Sequence, residues 1–301
     1  MQNKFSCIAA HGGARKQELR VLAATAAAAA TALGGATAAH ATPAGLTFYP
    51  STDIYGKGNI HFDADYFTRA GKDTTGTSLG LEYGLGPEKD GALGRTELGF
   101  DYVTTGGSSI SPGKRLLFNI KTQLFNRDAS GTRVVAGFWG VGSRGNIDNG
   151  ESVFPPNVGY VVGSKNFSFG RLHLGVAHSF AKKEVITTAG GNDDRTDIQL
   201  GYDKLFAKDK FQFTADYYSG KSAISTFSPG LIYYPNNRSD FQIGYIRYND
   251  SSLGSFRNQI YIGFDYNFGG GNDNIPDPKS DESDTKGAGE DGTTPAANSQ
   301  P

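Results

Sequence analysis

Acidic side chains recur at alternate positions of short segments along this chain, and they are the residues whose chemistry most needs explaining. Asp63 and Asp65 are two positions apart, and Glu97 and Asp101 are four apart. In an extended strand, residues at even spacing lie on one face, so each set would place its carboxylates side by side. The charged residues predicted on this face are Asp63, Asp65, Glu82, Arg95, Glu97, Asp101, Lys121, Lys165, Arg171, Asp197, Asp203, Asp216 and Asp265.

Two kinds of chemistry fit this face, on which nine acids stand against four bases. Charges buried without partners are too costly to keep, so each charge must pair or meet water. A hydrated lining of this sign would favour cations and neutral solutes through its field. Cross-strand ion pairs would instead hold neighbouring strands together, for example Lys121 with Glu97 or Asp101. The sequence leaves both interpretations open.

Catalytic and metal-binding patterns are weak by comparison. A hydrolase site carried by one strand would need its serine and histidine on the same face, and the adjacent His178 and Ser179 fall on opposite faces. His61 and His173 fall on the charged face without a third ligand at metal spacing, so we interpret them as histidines of a hydrated interior. We therefore predict that the protein is not an enzyme and holds no metal or cofactor.

Apolar side chains occupy the other face of the same segments. In TSLGLEYGLG, Leu79, Leu81 and Tyr83 alternate with Gly80 and Glu82. Segments of this kind recur between turn-rich stretches, and about twelve of them can be counted as strands. The composition agrees, since 42 Gly, 20 Phe and 15 Tyr make the chain rich in turn and strand formers.

The connections between these strands alternate in length. The short ones include 167–170, 206–210 and 235–238, and the long ones include 105–115, 142–157 and 181–195. Short turns at one rim and long loops at the other are typical of barrels in the bacterial outer membrane, where the short turns are periplasmic. An even number of strands would put both chain ends at that same rim.

The apolar stripes favour a membrane over a soluble core. A soluble sheet with one wet face alternates in the same way, but here every strand carries a stripe and the opposite face is often charged. Aromatic residues stand near the stripe ends, where interfacial girdles would lie: Tyr66, Tyr102, Phe125, Phe180, Tyr202, Tyr217, Tyr233, Tyr248 and Phe268. We therefore predict an all-β fold, a transmembrane antiparallel up-and-down β-barrel of about 12 strands over residues 59–268.

The two ends of the chain differ from the barrel. Residues 1–41 have a basic start, an uncharged alanine-rich stretch from Val21 and a small-residue ending at Ala41, which predicts a cleaved signal peptide. The single cysteine, Cys7, lies in that segment. We predict residues 42–58 to be a short periplasmic N-terminal segment. Residues 269–301 carry seven acids and two lysines with no aromatic residue, which predicts a disordered acidic tail.

The segment IYIGFDYNF, with apolar residues at alternate positions and a final phenylalanine, resembles the closing strand of bacterial outer-membrane β-barrel proteins. The resemblance is to the class and covers the architecture of 59–268. It implies that Tyr266 and Phe268 form the signal read by the barrel-assembly machinery. In that class the strand usually ends the chain, whereas here a tail follows, which puts the efficiency of assembly in doubt.

These observations predict a porin-like channel of the Gram-negative cell outer membrane for passive passage of small polar or cationic solutes, in contact with outer-membrane lipid. A non-conducting structural or adhesive barrel is the alternative, and a lipid hydrolase is a third class. A net charge of -1 does not suggest a nucleic-acid partner.

A barrel of about twelve strands has a narrower bore than open porins, which have roughly 16–18 strands, so an infolded loop such as 142–157 could block it. The run YPSTDIYGKGNIHFDADYF (49–67) is distinctive, but no function follows from it.

Overall fold

The computed structural model describes part of the chain, in nine stretches. These are residues 44–68, 75–87, 94–105, 114–127, 130–142, 156–181, 183–188, 190–252 and 258–269. The predicted signal peptide, the tail from residue 270 and most of the loop 142–157 lie outside the described residues.

Twelve antiparallel strands, each hydrogen-bonded to its neighbours in sequence, close into a barrel in which the first strand pairs with the last. They are β1 (Ile60–Thr68), β2 (Thr75–Leu85), β3 (Thr96–Thr105), β4 (Lys114–Arg127), β5 (Thr132–Val141), β6 (Val158–Phe167), β7 (Gly170–Ser179), β8 (Thr196–Phe206), β9 (Phe211–Tyr218), β10 (Thr226–Tyr233), β11 (Ser239–Tyr248) and β12 (Asn258–Phe268). In the described part of the chain, one short helix, α1 (Lys183–Ile186), lies between β7 and β8. The predicted all-β up-and-down barrel is confirmed.

The strands alternate as the sequence predicts, with apolar side chains outward. On β3, Leu98 and Phe100 are 43% and 42% exposed, whereas the intervening Glu97 and Asp101 are 1% and 0% exposed. This is the sidedness of a barrel with lipid outside.

Tyr248 is an exception to the predicted girdle. It faces inward beside Thr226, because the outward face of β11 ends at Arg247.

The two rims of the barrel differ. The turns 168–169, 207–210 and 234–238 lie at one end, together with the start of β1 and the end of β12, and we call this end the short-turn rim. The opposite end is the long-loop rim, where loops pack on one another: the Ala223 amide donates to the Ile186 carbonyl, 3.0 Å. Among the described residues, no helix is long and apolar enough to span a membrane.

Residues 44–58 lie inside the barrel, and we call them the plug. The sequence predicted this stretch as part of a periplasmic lead, and the structure places it among the inward side chains instead. It begins as a hairpin, in which the Ser51 amide donates to the Ala44 carbonyl, 3.0 Å, and the Leu46 amide donates to the Tyr49 carbonyl, 2.9 Å. It ends at the short-turn rim, where the Gly58 amide donates to the Gly84 carbonyl, 2.9 Å.

Candidate functional site inside the barrel

The charged residues predicted on one strand face do share the inner wall, with one exception. Twelve of the thirteen lie on the inner wall, eleven of them in strands and Arg95 directly before β3: Asp63, Asp65, Glu82, Arg95, Glu97, Asp101, Lys121, Arg171, Asp197, Asp203, Asp216 and Asp265. Arg133, on a strand whose register the sequence did not settle, joins them. The strand alternation therefore brings these charges into one enclosed space.

Lys165 was predicted on the inner face, and this is wrong. It lies outward on β6, where its register partner is the exposed Leu172, and its Nζ lies 5.6 Å from the centre of the Phe167 ring. The inner face of β6 is mostly apolar instead, formed by Val158, Tyr160 and Val162, and it ends at Ser164, whose hydroxyl lies 2.6 Å from that of Thr52. Because Lys165 stands near the short-turn rim, its stem can run along the lipid-facing surface while its ammonium reaches the interface.

Asp216 of β9 holds the tip of the plug. Its Oδ2 accepts hydrogen bonds from the Thr47 and Phe48 amides at 2.9 and 2.8 Å. The hydroxyls of Thr47 and Thr214 are 2.6 Å apart. One wall carboxylate therefore satisfies two backbone donors of a hairpin that would otherwise bury them unpaired.

A second anchor joins the plug to β3 and β4. Lys121 Nζ lies 3.0 Å from Glu97 Oε1, with both side chains fully buried, so the predicted cross-strand pair is confirmed. The same two groups bind the plug. Lys121 donates to the Ala44 carbonyl at 2.8 Å, and Glu97 accepts from the Ala44 amide at 3.0 Å and from the Tyr55 amide at 3.2 Å. The alternative partner, Asp101, accepts from Asn119 instead, 2.5 Å.

The third anchor is Asp53 of the plug. Arg171 donates to both of its carboxylate oxygens at 2.6 Å, and Arg133 donates to Oδ1 at 3.0 Å. Burial would raise the pKa of the Asp53 carboxyl, but the two guanidiniums outweigh it and hold that pKa well below its usual range. Arg171 also donates to Asp203, 2.8 Å, which contacts His173 at 2.7 Å.

This network lines a polar cavity of about 450 Å³ at the short-turn end of the bore. Its wall includes Asp53, Arg133, Arg171, Gln212 and Tyr234. Charges of both signs and amide groups line a space large enough for a small polar molecule. This cavity matches the predicted polar lining.

The long-loop half of the interior is filled by aromatic and aliphatic side chains. The ring of Tyr49 stacks on that of Tyr218, with centroids 3.4 Å apart, and lies 6.0 Å from the Trp139 ring. The Tyr49 hydroxyl donates to the Ile224 carbonyl, and the Phe48 ring lies 6.2 Å from that of Phe67. The cluster contains Phe48, Tyr49, Phe67, Val103, Leu117, Val135, Trp139, Val158, Tyr160, Val162, Ala177, Tyr218, Ile224, Ile246, Tyr248 and Tyr261.

This cluster draws on the plug and on strands from all around the barrel, so it crosses the bore as a dry core. The sequence predicted a hydrated interior, whereas the long-loop half of the interior is an apolar core. Two features of the sequence indicated this core. The segment that forms β5 is apolar on both faces, and Tyr261 is a bulky residue on the polar face of β12. Both contribute side chains to the core.

A row of acids crosses three neighbouring strands on another part of the wall. Asp63 of β1 stands opposite Asp265 of β12, which stands opposite Asp240 of β11. Like charges placed directly across strands repel each other. Beside this row, His61 Nε2 lies 3.9 Å from both Glu82 Oε2 and Asp265 Oδ2.

His178 and Ser179 lie on opposite faces of β7, as the sequence predicted. The outward His178 hydrogen-bonds Thr196 Oγ1 through Nδ1, 2.8 Å, and its ring lies 4.9 Å from that of Phe180. Ser179 is buried and donates to the Pro156 carbonyl, 2.7 Å. The two side chains therefore do not form a nucleophile–base pair.

The residues of the predicted assembly signal stand at the end of β12. Their rings, Tyr266 and Phe268, pack edge to face with centroids 4.8 Å apart on the outward side of the strand. Their recognition by an assembly partner stays a prediction.

Comparisons with known proteins give relatives of fold only. No family model matches the chain, and no curated protein matches it. Among solved structures, it is similar to KdgM porin at 13% identity and a TM-score of 0.43, over 69% of this chain and 99% of that one. It is similar to Salmonella typhi OmpF in complex with daunomycin at 10% identity and a TM-score of 0.36, over 70% and 96%.

It is also similar to outer membrane phospholipase A from Escherichia coli at 13% identity and a TM-score of 0.39, over 72% of this chain and 92% of that one. The likeness is to the class of outer-membrane β-barrels.

Proposed function

We propose that the protein is a passive channel of the outer membrane whose resting state is closed by its own N-terminal plug. The observation that carries this proposal is the attachment of residues 44–58 to the inner wall through non-covalent contacts at Asp216, Glu97 and Asp53. A barrel whose interior were only a structural core would need no separate segment bound in this way. A removable segment gives the bore a closed state and an open one.

The energetics favour the closed state. Phe48 and Tyr49 are buried in the core, and each such side chain contributes roughly 1.5–3 kcal/mol. Breaking a buried ion pair by removing one partner costs about 3–5 kcal/mol, an upper bound for the partly exposed Asp53 anchor. Spontaneous opening of the intact protein is therefore rare.

The charges that line the bore once the plug has left determine which solutes can pass. Acids outnumber bases on the inner face even after Lys165 is removed from the set and Arg133 is added. An acidic lining attracts cations and repels anions through its field. Small cations and neutral polar solutes are the class that we propose to pass.

The cellular setting is part of the same proposal. The apolar exterior contacts outer-membrane lipid, the signal peptide is cleaved after Ala41, and the short-turn rim faces the periplasm. The mature chain then begins two residues before Ala44, which leaves the plug with a free end. Fractionation of a Gram-negative host and N-terminal sequencing of the exported protein test this setting. Recovery from the inner membrane, or with residues 1–41 still attached, would contradict it.

Planar-bilayer recording of the refolded mature chain, beside a variant that lacks residues 44–55, tests the function. We expect rare openings for the mature chain and a steady conductance for the variant, with a reversal potential that shows preference for cations. The heat-dependent shift of folded barrels on gels is the control for folding. A folded variant that never conducts would overturn the proposal.

A non-conducting structural barrel is the second candidate, and one observation favours it. The dry core joins the plug to strands on every side of the bore, as a permanent core would. Under this alternative, deletion of the plug destabilises the barrel and opens no conductance. The same recording therefore separates the two functions.

A further inference from the structure

Three ligand-type side chains meet on the inner wall near the short-turn rim. His61 and Asp63 are neighbours on the inner face of β1, and Glu82 of β2 is the register partner of His61. One ligand atom from each residue lies within 4.8 Å of the others. All three are buried, with Glu82 only 1% exposed.

The two carboxylates of this cluster lack hydrogen bonds of normal geometry. Among the described residues, neither oxygen of Glu82 has a hydrogen-bond partner, and the Asp63 carboxylate only approaches the Gly80 amide and its own backbone amide. A buried carboxylate without a donor carries its full desolvation cost, so such groups pair with a cation or keep a proton. Both side chains point into the same small space, which indicates a shared positive partner.

The orientation of His61 supports a metal as that partner. Its Nδ1 lies 3.0 Å from Asn267 Oδ1, an amide oxygen that only accepts, so Nδ1 carries the hydrogen. In the neutral ring, Nε2 then presents a lone pair toward Glu82 and Asp265, each with an oxygen 3.9 Å away. A second hydrogen bond that fixes the ring in this way is the usual support of a metal-binding histidine.

Glycines in the wall make room for the carboxylates. A Cβ at position 80 would lie 1.9 Å from Asp63 Oδ2 and 2.8 Å from Asp101 Oδ1. A Cβ at position 99 would lie 2.6 Å from Glu82 Cγ. Because Gly80 and Gly99 have no Cβ, the side chains of Asp63 and Glu82 can lie flat against the wall, beside the imidazole of His61.

We propose that His61, Asp63 and Glu82 bind one Zn²⁺ ion, with Asp265 as a further ligand. One imidazole with carboxylates suits Zn²⁺, whereas Mg²⁺, Ca²⁺ and Mn²⁺ prefer oxygen ligands. Ligands of one Zn²⁺ lie roughly 3–3.5 Å apart, since each is about 2.0–2.2 Å from the ion, so small side-chain rotations close the 3.9 Å separations.

The site lies under the plug. The Tyr55 ring stacks on that of His61, with centroids 4.4 Å apart. A bound ion would neutralise the acid row and join β1, β2 and β12 beneath this ring. The sequence predicted no metal because His61 and Glu82 stand on different strands, and only the register brings them together. The proposal does not depend on conduction.

Zinc binding to the refolded, tag-free mature chain, stripped with EDTA, tests the proposal. We expect one Zn²⁺ per chain by calorimetry and by elemental analysis after desalting. Glu82→Gln and His61→Asn each weaken the affinity at least about tenfold, and His173→Asn, which removes the other inward histidine, leaves it unchanged. Folded wild type that retains no zinc, or variants that all bind alike, would overturn the assignment.

A measurement on the unsubstituted chain keeps the test decisive if a variant fails to fold. X-ray absorption at the zinc edge should show one imidazole and two or three oxygen ligands, and the signal should persist in His173→Asn. Zinc surrounded only by oxygen, or a failure to bind because the acids keep their protons, would contradict the proposal.

Discussion

Tyr49 of the plug and Tyr218 of β9 lie face to face, with ring centroids 3.4 Å apart and planes 4° from parallel. Both rings are fully buried, and the pair stands at the centre of the core that crosses the bore. A segment that enters the barrel from the short-turn rim is thus held near the opposite end. The contact is part of the core that fills this end of the bore.

Tyr49→Ala should loosen the plug. Removing a buried aromatic side chain costs roughly 3–5 kcal/mol, which corresponds to at least a hundredfold more opening if the loss falls on the docked plug. Single-channel open probability measures the effect. Tyr233→Ala, which removes an outward tyrosine, is the matched control and should open no more often than wild type. Equal open probabilities in the two variants would contradict the role of Tyr49.

The Asp53 anchor should resist acid. Because the pKa of Asp53 in the folded protein lies below the ordinary value of 3.8, its contribution is complete above that pH and is lost only as the pH falls through the lower folded value. Asp53→Asn should therefore open more often than wild type at pH 7 and still at about pH 4.5, and the difference should shrink below about pH 3. A difference that has already vanished at pH 5 would be inconsistent with the ion pairs.

Lys121→Met should destabilise the barrel, because it leaves the buried Glu97 without its cation. Breaking one side of a buried pair costs about 3–5 kcal/mol, whereas replacing both sides is often near neutral. Urea unfolding of Lys121→Met should show the loss, and the double variant with Glu97→Gln should recover most of it. Additive losses in the double variant would show that the two groups do not act as a pair.

Removal of an inward basic side chain should change the ion selectivity of the bore, whereas removal of an outward one should not. In the variant that lacks the plug, Arg171→Gln removes a positive charge from the wall and should increase the preference for cations. Lys165→Gln removes one from the lipid-facing side and should leave the reversal potential unchanged. A shift of equal size in both would place Lys165 in the bore, against the observed register.

Strand sidedness could be predicted from sequence because it is a local property. Leu98, Phe100 and Tyr102 alternate with Glu97 and Asp101 whatever lies elsewhere, and the barrel follows from many such segments. The prediction was wrong for Lys165, because β6 alternates with its larger apolar side chains, Val158, Tyr160 and Val162, on the inner face, so the rule that apolar residues face outward put Lys165 on the wrong side.

What fills the barrel could not be predicted in the same way. Residues 44–58 have no strand periodicity, and their partners are remote: Thr47 and Asp216 are 169 positions apart. The contacts of Asp53 with two arginines likewise depend on the register of β5 and β7. His61 and Glu82 meet only because β1 and β2 pair at that register. Closure of the barrel creates these sites, so the spacing of residues in the sequence does not reveal them.

A disulfide between the plug and the wall tests the central claim most directly. The hydroxyls of Thr47 and Thr214 are 2.6 Å apart, and the single cysteine of the sequence, Cys7, lies in the predicted signal peptide. In a Tyr49→Ala background, Thr47→Cys with Thr214→Cys should form the bond in the folded barrel. The oxidised protein should be silent in planar bilayers, and reduction should restore openings. Oxidised protein that conducts like the variant without residues 44–55 would contradict closure by the plug.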